Sequence, residues 1–141
     1  MAEIQRTLVL VKPDGVRRGL VAEVLGRFER RGFRMVGLKL LHPSRSLVEE
    51  HYGEHRDKPF FGELVSFLSG GPVVAACLEG PDAVATVRTM MGKTNPLESA
   101  PGTIRGDLAT KLEENVVHGS SDLDAAKREV ALWFQPAELL G

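Results

Sequence analysis

Residues 7–41 read TLVLVKPDGVRRGLVAEVLGRFERRGFRMVGLKLL, and their pattern decides the fold. The first six, Thr7 to Lys12, form an apolar, β-rich run that Pro13-Asp14-Gly15 stops with a turn signal. A run apolar on both faces suits a sheet interior, which puts Lys12 at the C-terminal end of an interior strand. Leu20, Val21, Val24, Leu25 and Phe28 then recur at helical spacing as far as Arg31, and Gly32 stands where a helix C′ glycine belongs. Residues 33–41 predict a second strand, ended by His42-Pro43.

Working outward, the spacing predicts two short helices next. A capping box at Ser46-Leu47-Val48-Glu49 opens the first, which runs to about Tyr52. Phe61, Leu64, Val65 and Leu68 stripe the second, over Phe60 to Ser69, which Gly70-Gly71 ends. Residues 73–78 predict a third strand. Pro81 and Asp82 start a helix carrying Val84, Val87, Arg88 and Met91, closed by Gly92. Residues 92–114 are rich in Gly and Pro, and so long a connection in a small protein is usually functional. A short strand at 115–119 follows, and Ser121, with Asp124 three places on, caps a last helix with Leu123, Ala126, Val130 and Trp133 inward. The order β-α-β-αα-β-α-β is two βαβ units. Right-handed crossovers place both helical layers on one face of a four-stranded antiparallel sheet. The fold class is α+β, a ferredoxin-like βαββαβ sandwich with a long loop before the last strand, as a single domain over residues 1–141.

Composition agrees with one compact domain: 141 residues, 43% hydrophobic and 26% charged, enough to bury roughly 68–70% of the unfolded surface. The net charge of -1, from 18 basic and 19 acidic residues, provides no global basic field for nucleic acid, so any anion must be held by a local cluster. The single cysteine, Cys77, excludes an internal disulfide and every multi-cysteine zinc motif. No run of 18 apolar residues occurs, and the opening MAEIQRTLVLVKPDG has no signal-peptide pattern. The expectation is a soluble, cytoplasmic protein that does not engage membranes.

Gly92-Lys93-Thr94 resembles the end of a phosphate-binding Walker A loop, but position 87 is Val and the stretch follows a helix instead of a strand. The densest polar segment is Asn115-Val116-Val117-His118-Gly119-Ser120-Ser121-Asp122. His118 ends a short strand just before a capped helix, so its ring can project into a cleft. Glu129 borders the apolar stripe of the last helix and wants a partner, which His118 or Ser120 can provide. Such a pair orients an imidazole and fixes its tautomer. A surface histidine near a helix cap, with a solvated glutamate, is the plain alternative. Lys12, Arg88 and Arg105 each read as solvated or ion-paired charges, or together as a polyphosphate site beside His118. His42, His51 and His55 have no metal-ligand spacing, and His51 and Tyr52 read as packing.

Here the sequence strongly resembles nucleoside diphosphate kinases over about residues 5–138. The matching segments are TLVLVKPDGVRRGL, EHYGEH, KPFFGELVSF, SGGPVVA, MGKTNP, PGTIRGD and NVVHGS. The resemblance implies ping-pong transfer of a γ-phosphoryl from a nucleoside triphosphate to His118, and from there to another nucleoside diphosphate. His118 matches the nucleophile, which in the family reacts through Nδ1, and Glu129 and Ser120 match the residues that orient it. Lys12, Tyr52 and Arg105 match groups around the transferred phosphoryl, and Arg88 and Thr94 match contacts to the inner phosphates. Asn115, with Lys12, matches the sugar-hydroxyl contacts. Phe60 matches the aromatic under the base, and Leu112 the apolar residue opposite. Mg²⁺ arrives with the nucleotide, so no protein metal site is implied. Stacking tolerates every base, hence broad specificity for base and sugar. The resemblance also implies a homo-oligomer, hexamer or tetramer. The family usually has Asp directly after HGS, whereas this chain has Ser121 and then Asp122, displacing a carboxylate by one residue. Ser caps a helix about as well as Asp. A catalytically silent nucleotide-binding scaffold and a nucleic-acid-binding protein of the same fold are the rival readings.

Overall fold

The computed structural model describes residues 2–141. The strands are β1 (Ile4–Val11), β2 (Arg34–Leu41), β3 (Val73–Pro81) and β4 (Val117–Gly119). The helices are α1 (Pro13–Arg17), α2 (Val21–Arg31), α3 (Arg45–His51), α4 (Phe61–Leu68), α5 (Ala83–Met91), α6 (Ile104–Leu108) and α7 (Leu123–Trp133). The strands pair antiparallel in the order β2-β3-β1-β4, the ferredoxin-like α+β arrangement expected from the sequence.

β1 and β3 are interior strands whose side chains alternate between two buried faces. Val9 and Val11, with Val74, Ala76 and Leu78, pack under Val24 and Phe28 of α2 and Val87 and Met91 of α5. Leu8 and Leu10, with Val73, Ala75 and Cys77, pack under Val48 of α3, Val65 and Leu68 of α4, and Val130 and Trp133 of α7. Fully burying a side chain such as Phe28 or Leu10 contributes ~1.5–3 kcal/mol over leaving it exposed. The crossover helices α2 and α5 share a face, as right-handed connections require. The α3–α4 pair and α7 cover the other face, which the expectation of helices on a single face did not include. Two-sided apolar strands need a cover on both sides.

Several local boundaries differ from the sequence reading. Pro13 opens the short helix α1 instead of closing a turn, because its fixed φ suits the first helical position. Ser44, not Ser46, caps α3 and accepts from the Leu47 N–H. Asp122, not Ser121, caps α7 and accepts from the Ala125 N–H at 2.8 Å. A cap must sit where its oxygen reaches the second or third helical amide, and α7 begins one residue later than expected. β3 continues to Pro81, and Asp82, at φ 48°, turns the chain into α5. The long loop before β4 contains a 3₁₀ turn at Pro96–Glu98 and α6. β4 lies beside the C-terminal half of β1, with His118 opposite Leu10 and Val117 opposite Val11, so the strand end bearing Lys12 and the histidine strand open together.

Candidate active site

His118 leaves β4 with its side chain 23% exposed, facing the almost fully buried Glu129 of α7. Oε1 of Glu129 accepts two hydrogen bonds, from His118 Nε2 at 2.9 Å and from Ser120 Oγ at 2.8 Å. The Ser120 hydroxyl in turn accepts from the Leu8 N–H at 3.3 Å, which ties the pair to β1. A carboxylate can only accept, so the imidazole proton sits on Nε2 and Nδ1 keeps its lone pair. Burial alone would raise the Glu129 carboxyl. The hydrogen bond and charge of His118, with His51 and Ser120 behind it, outweigh burial and hold the group down at about 2.

Behind His118 lies His51, at the end of α3, its ring 4.7 Å away and tilted 74°. Trp133 Nε1 donates to His51 Nδ1 at 3.0 Å. Burial drives the His51 imidazole down to about 3, so it stays neutral. Tyr52 packs edge-on against His51 at 4.8 Å, and burial pushes its phenol up to about 12. His51, His118 and Glu129 offer ligand atoms within 4.8 Å of one another. Their bonds to Trp133, Ser120 and each other already occupy His51 Nδ1 and Glu129 Oε1, and two imidazoles do not suit Mg²⁺, which takes oxygen ligands.

The cations converge from the other side. Lys12 Nζ donates to Asn115 Oδ1 at 2.8 Å and lies 5.5 Å from the centre of the Phe67 ring. Burial lowers the Lys12 ammonium to about 8, with Asp14 opposing and Arg105 adding to the fall. Asn115 Nδ2 donates to the Thr94 carbonyl at 3.0 Å. Buried Arg105 donates to the carbonyls of Asn115, Lys93 and Val117, and burial, with the nearby Arg88, lowers it to about 10. Arg88 donates to the Gly119 carbonyl at 3.3 Å, next to His118. Between Asn115 and His118 the chain makes a tight turn. Val116 has φ 72°, and the Val117 N–H bonds back to the Asn115 carbonyl at 2.8 Å. This is a γ-turn with positive φ at its centre, the rarer and more strained kind, and holding a β-branched residue there costs about 1–3 kcal/mol.

A family profile described as nucleoside diphosphate kinase matches residues 5–139. The nucleoside diphosphate kinase of Thermus thermophilus is 61% identical over 137 residues, which cover 97% of this chain and all of the relative.

The chain belongs to the nucleoside diphosphate kinase family.

The family member from Gloeobacter violaceus is 58% identical over 97% of this chain and 92% of its own. Among solved structures, a nucleoside diphosphate kinase family protein from Babesia bovis superposes with a TM-score of 0.95 at 49% identity, covering 97% of this chain and 93% of its own. A halophilic nucleoside diphosphate kinase from Halobacterium salinarum, solved in complex with CDP, gives 0.94 at 49% identity over 100% of this chain and 93% of its own.

Of the residues that the family resemblance singles out, Lys12, Arg88, Arg105, Asn115, His118, Ser120 and Glu129 are joined directly or through the β4 backbone. Tyr52 reaches the group through His51. Thr94 is exposed and enters through its carbonyl alone. Phe60 and Leu112 stand apart from the network at 44% and 51% exposure, with the Phe60 ring 5.7 Å from that of His55. Asp14 and Phe67, which lie near Lys12, carry no functional signal in the sequence. Asp14 sits in a segment whose composition reads as a turn, and Phe67 lies on the helix stripe where packing is the ordinary expectation. His51 is buried, as its sequence context suggests, and its ring also abuts His118.

Proposed function

We propose that His118 carries the phosphoryl group in this enzyme, exchanging it between nucleoside triphosphates and diphosphates. The observation that carries the reading is the Glu129 oxygen shared by His118 and Ser120, because it reserves Nε2 for the proton and leaves Nδ1 as the nucleophile. As Nδ1 bonds to the γ-phosphorus, the bond from that phosphorus to the β–γ bridging oxygen breaks and the diphosphate departs. The imidazole keeps its Nε2–H and becomes cationic, and the buried Glu129 carboxylate stabilises that charge. A β-phosphate oxygen of a second diphosphate then attacks the phosphorus, the P–N bond breaks, and neutral His118 is restored.

Phosphoryl transfer needs positioning and charge neutralisation more than covalent help. Lys12 and Arg105 serve the transferred group, together with Tyr52, which packs on His51, and Arg88 and Thr94 serve the inner phosphates. Asn115, paired with Lys12, takes the sugar hydroxyls. Phe60 and Leu112, both exposed and apolar, take the two faces of the base, which suits any base. The CDP-bound relative supports a pyrimidine nucleotide as one ligand. The triphosphate enters as its Mg²⁺ complex, with the ion part of the substrate.

Residues 1–141 act as one domain, since both packed faces share a single sheet. The edge strand β2, bonded by Leu140 at Val36 and leaving Leu38 and Leu40 at 55% and 68% exposure, supports a homo-oligomer, hexamer or tetramer. A cytoplasmic place follows from the nucleotide substrates. No helix among the described residues is long and apolar enough to cross a membrane.

The test is incubation with γ-labelled ATP and Mg²⁺ without acceptor. Stoichiometric acid-labile, base-stable label that leaves on adding GDP or dCDP is the expected result. A folded, ATP-binding protein that takes no label would be a nucleotide-binding scaffold instead.

A further inference from the structure

We propose that Asp14 is a positioning residue of the phosphoryl-transfer site: its carboxylate fixes the strained Val116 peptide and supplies the negative charge that Lys12 and Arg105 share. The inference rests on the reading that Lys12, Arg105 and His118 act on the transferred phosphoryl.

Asp14 lies in α1 and is wholly buried. Its Oδ2 accepts from the Val116 N–H at 3.0 Å, while the Lys12 N–H donates to the Val116 carbonyl at 2.8 Å. Gly15 completes the grip, since a Cβ there would stand 3.0 Å from that carbonyl oxygen and 2.8 Å from Val11 Cγ1. Lys12, Asp14 and Gly15 thus clamp Val116 through the peptide groups on both of its sides, in a conformation that a valine resists. Asn115 precedes Val116 and His118 follows two residues later, so the orientation of Val116 sets where both side chains point. The other Asp14 oxygen, Oδ1, is buried with no hydrogen-bond partner among the described residues. A bare buried carboxylate oxygen is costly for a clamp that an amide could make equally well. The need for charge explains it: Asp14 is the acidic neighbour common to Lys12 and Arg105. The groups facing Lys12 are Asp14 from α1, Arg105 from α6, the Asn115 amide, the Phe67 ring of α4 and the neutral His51 of α3.

The experiment compares wild type with Asp14→Asn and Asp14→Glu, following kcat/KM from neutral to alkaline pH together with thermal melting and His118 labelling. Asn keeps the acceptor for Val116 and loses the charge. Burial lowers the Lys12 ammonium to about 8, and the alkaline half-point expected from it in the wild type should fall by roughly one unit in Asp14→Asn. Asp14→Glu keeps the charge and displaces the acceptor, so kcat is expected to fall at least several-fold with the half-point unmoved. An unshifted half-point in folded Asp14→Asn overturns the inference. Should that variant fail to fold, a half-point in Asp14→Glu that moves as far as one unit overturns it equally. Wild-type protein that takes no label would sink the proposed function instead, so the two failures are distinct.

Discussion

The indole N–H of Trp133 donates to Nδ1 of His51 across 3.0 Å, and this fixes the one proton of that neutral ring on Nε2. His51 is therefore a wall of fixed charge state behind the His118 ring.

Acid stability reports on that wall. The folded value for His51 is about 3 against 6.5 ordinarily, so between those values the unfolded chain binds a proton that the native state refuses. The contribution is complete above pH 6.5 and is lost as pH falls toward 3. Melting temperature should decline across that window in the wild type and more shallowly in His51→Gln, whose amide oxygen still accepts from Trp133. Parallel declines in the two proteins would contradict the assignment.

At the proposed nucleophile, His118→Ala should abolish both labelling and turnover. Glu129→Gln can still accept from Nε2 but no longer opposes the charge of the phosphorylated ring. Its kcat should fall by about 10²–10³, the scale for removing one preorganised electrostatic partner. Rapid-quench measurement of the labelling step checks this, and an unchanged rate would remove Glu129 from the chemistry.

For the base, Phe60→Ala should act on binding. Losing one aromatic stacking surface costs ~1–3 kcal/mol, which raises KM by roughly 5–160-fold with kcat nearly constant. The increase should be similar for purine and pyrimidine diphosphates. A loss confined to one base would mean that edge contacts, not stacking, hold the nucleotide.

The displaced carboxylate can be tested by stability. Asp122→Ala removes the α7 cap and should cost about 1 kcal/mol, a few degrees of melting temperature. Ser121→Asp touches an exposed position outside the cap and should leave activity within a few-fold. A large gain in rate would show that a carboxylate at 121 matters to the reaction.

Much of the fold was readable because β1 and β3 are apolar on both faces, and such runs have few alternatives to a sheet interior. Their second face was implied by the same pattern, yet spacing along one helix does not say which side of a sheet it will cover. Ser44 and Ser46 are equally good capping chemistry two residues apart, and only the tertiary position of α3 chooses between them. α6 lacks any apolar period to announce it. In the site, His118 and Glu129 were legible from a strand end and a helix stripe. Val116 was not, because a β-branched residue in a left-handed conformation opposes its own local preference and is held there by contacts from residues 12 and 14. The bond from Trp133 to His51 spans 82 positions and leaves no local trace.

The pairing of β1 with β4 also sets a timetable. Leu8 meets Ser120 across 112 residues of sequence, and Lys12 meets Asn115 across 103. At ~5–20 residues per second, the first strand waits about 5–20 s on the ribosome for its last neighbour. Throughout that interval one edge of β1 is bare, a template that another nascent chain could join. With His118 as the proposed nucleophile, a product truncated before it would have no partial activity, and catalysis itself would become the signal that synthesis has closed the sheet.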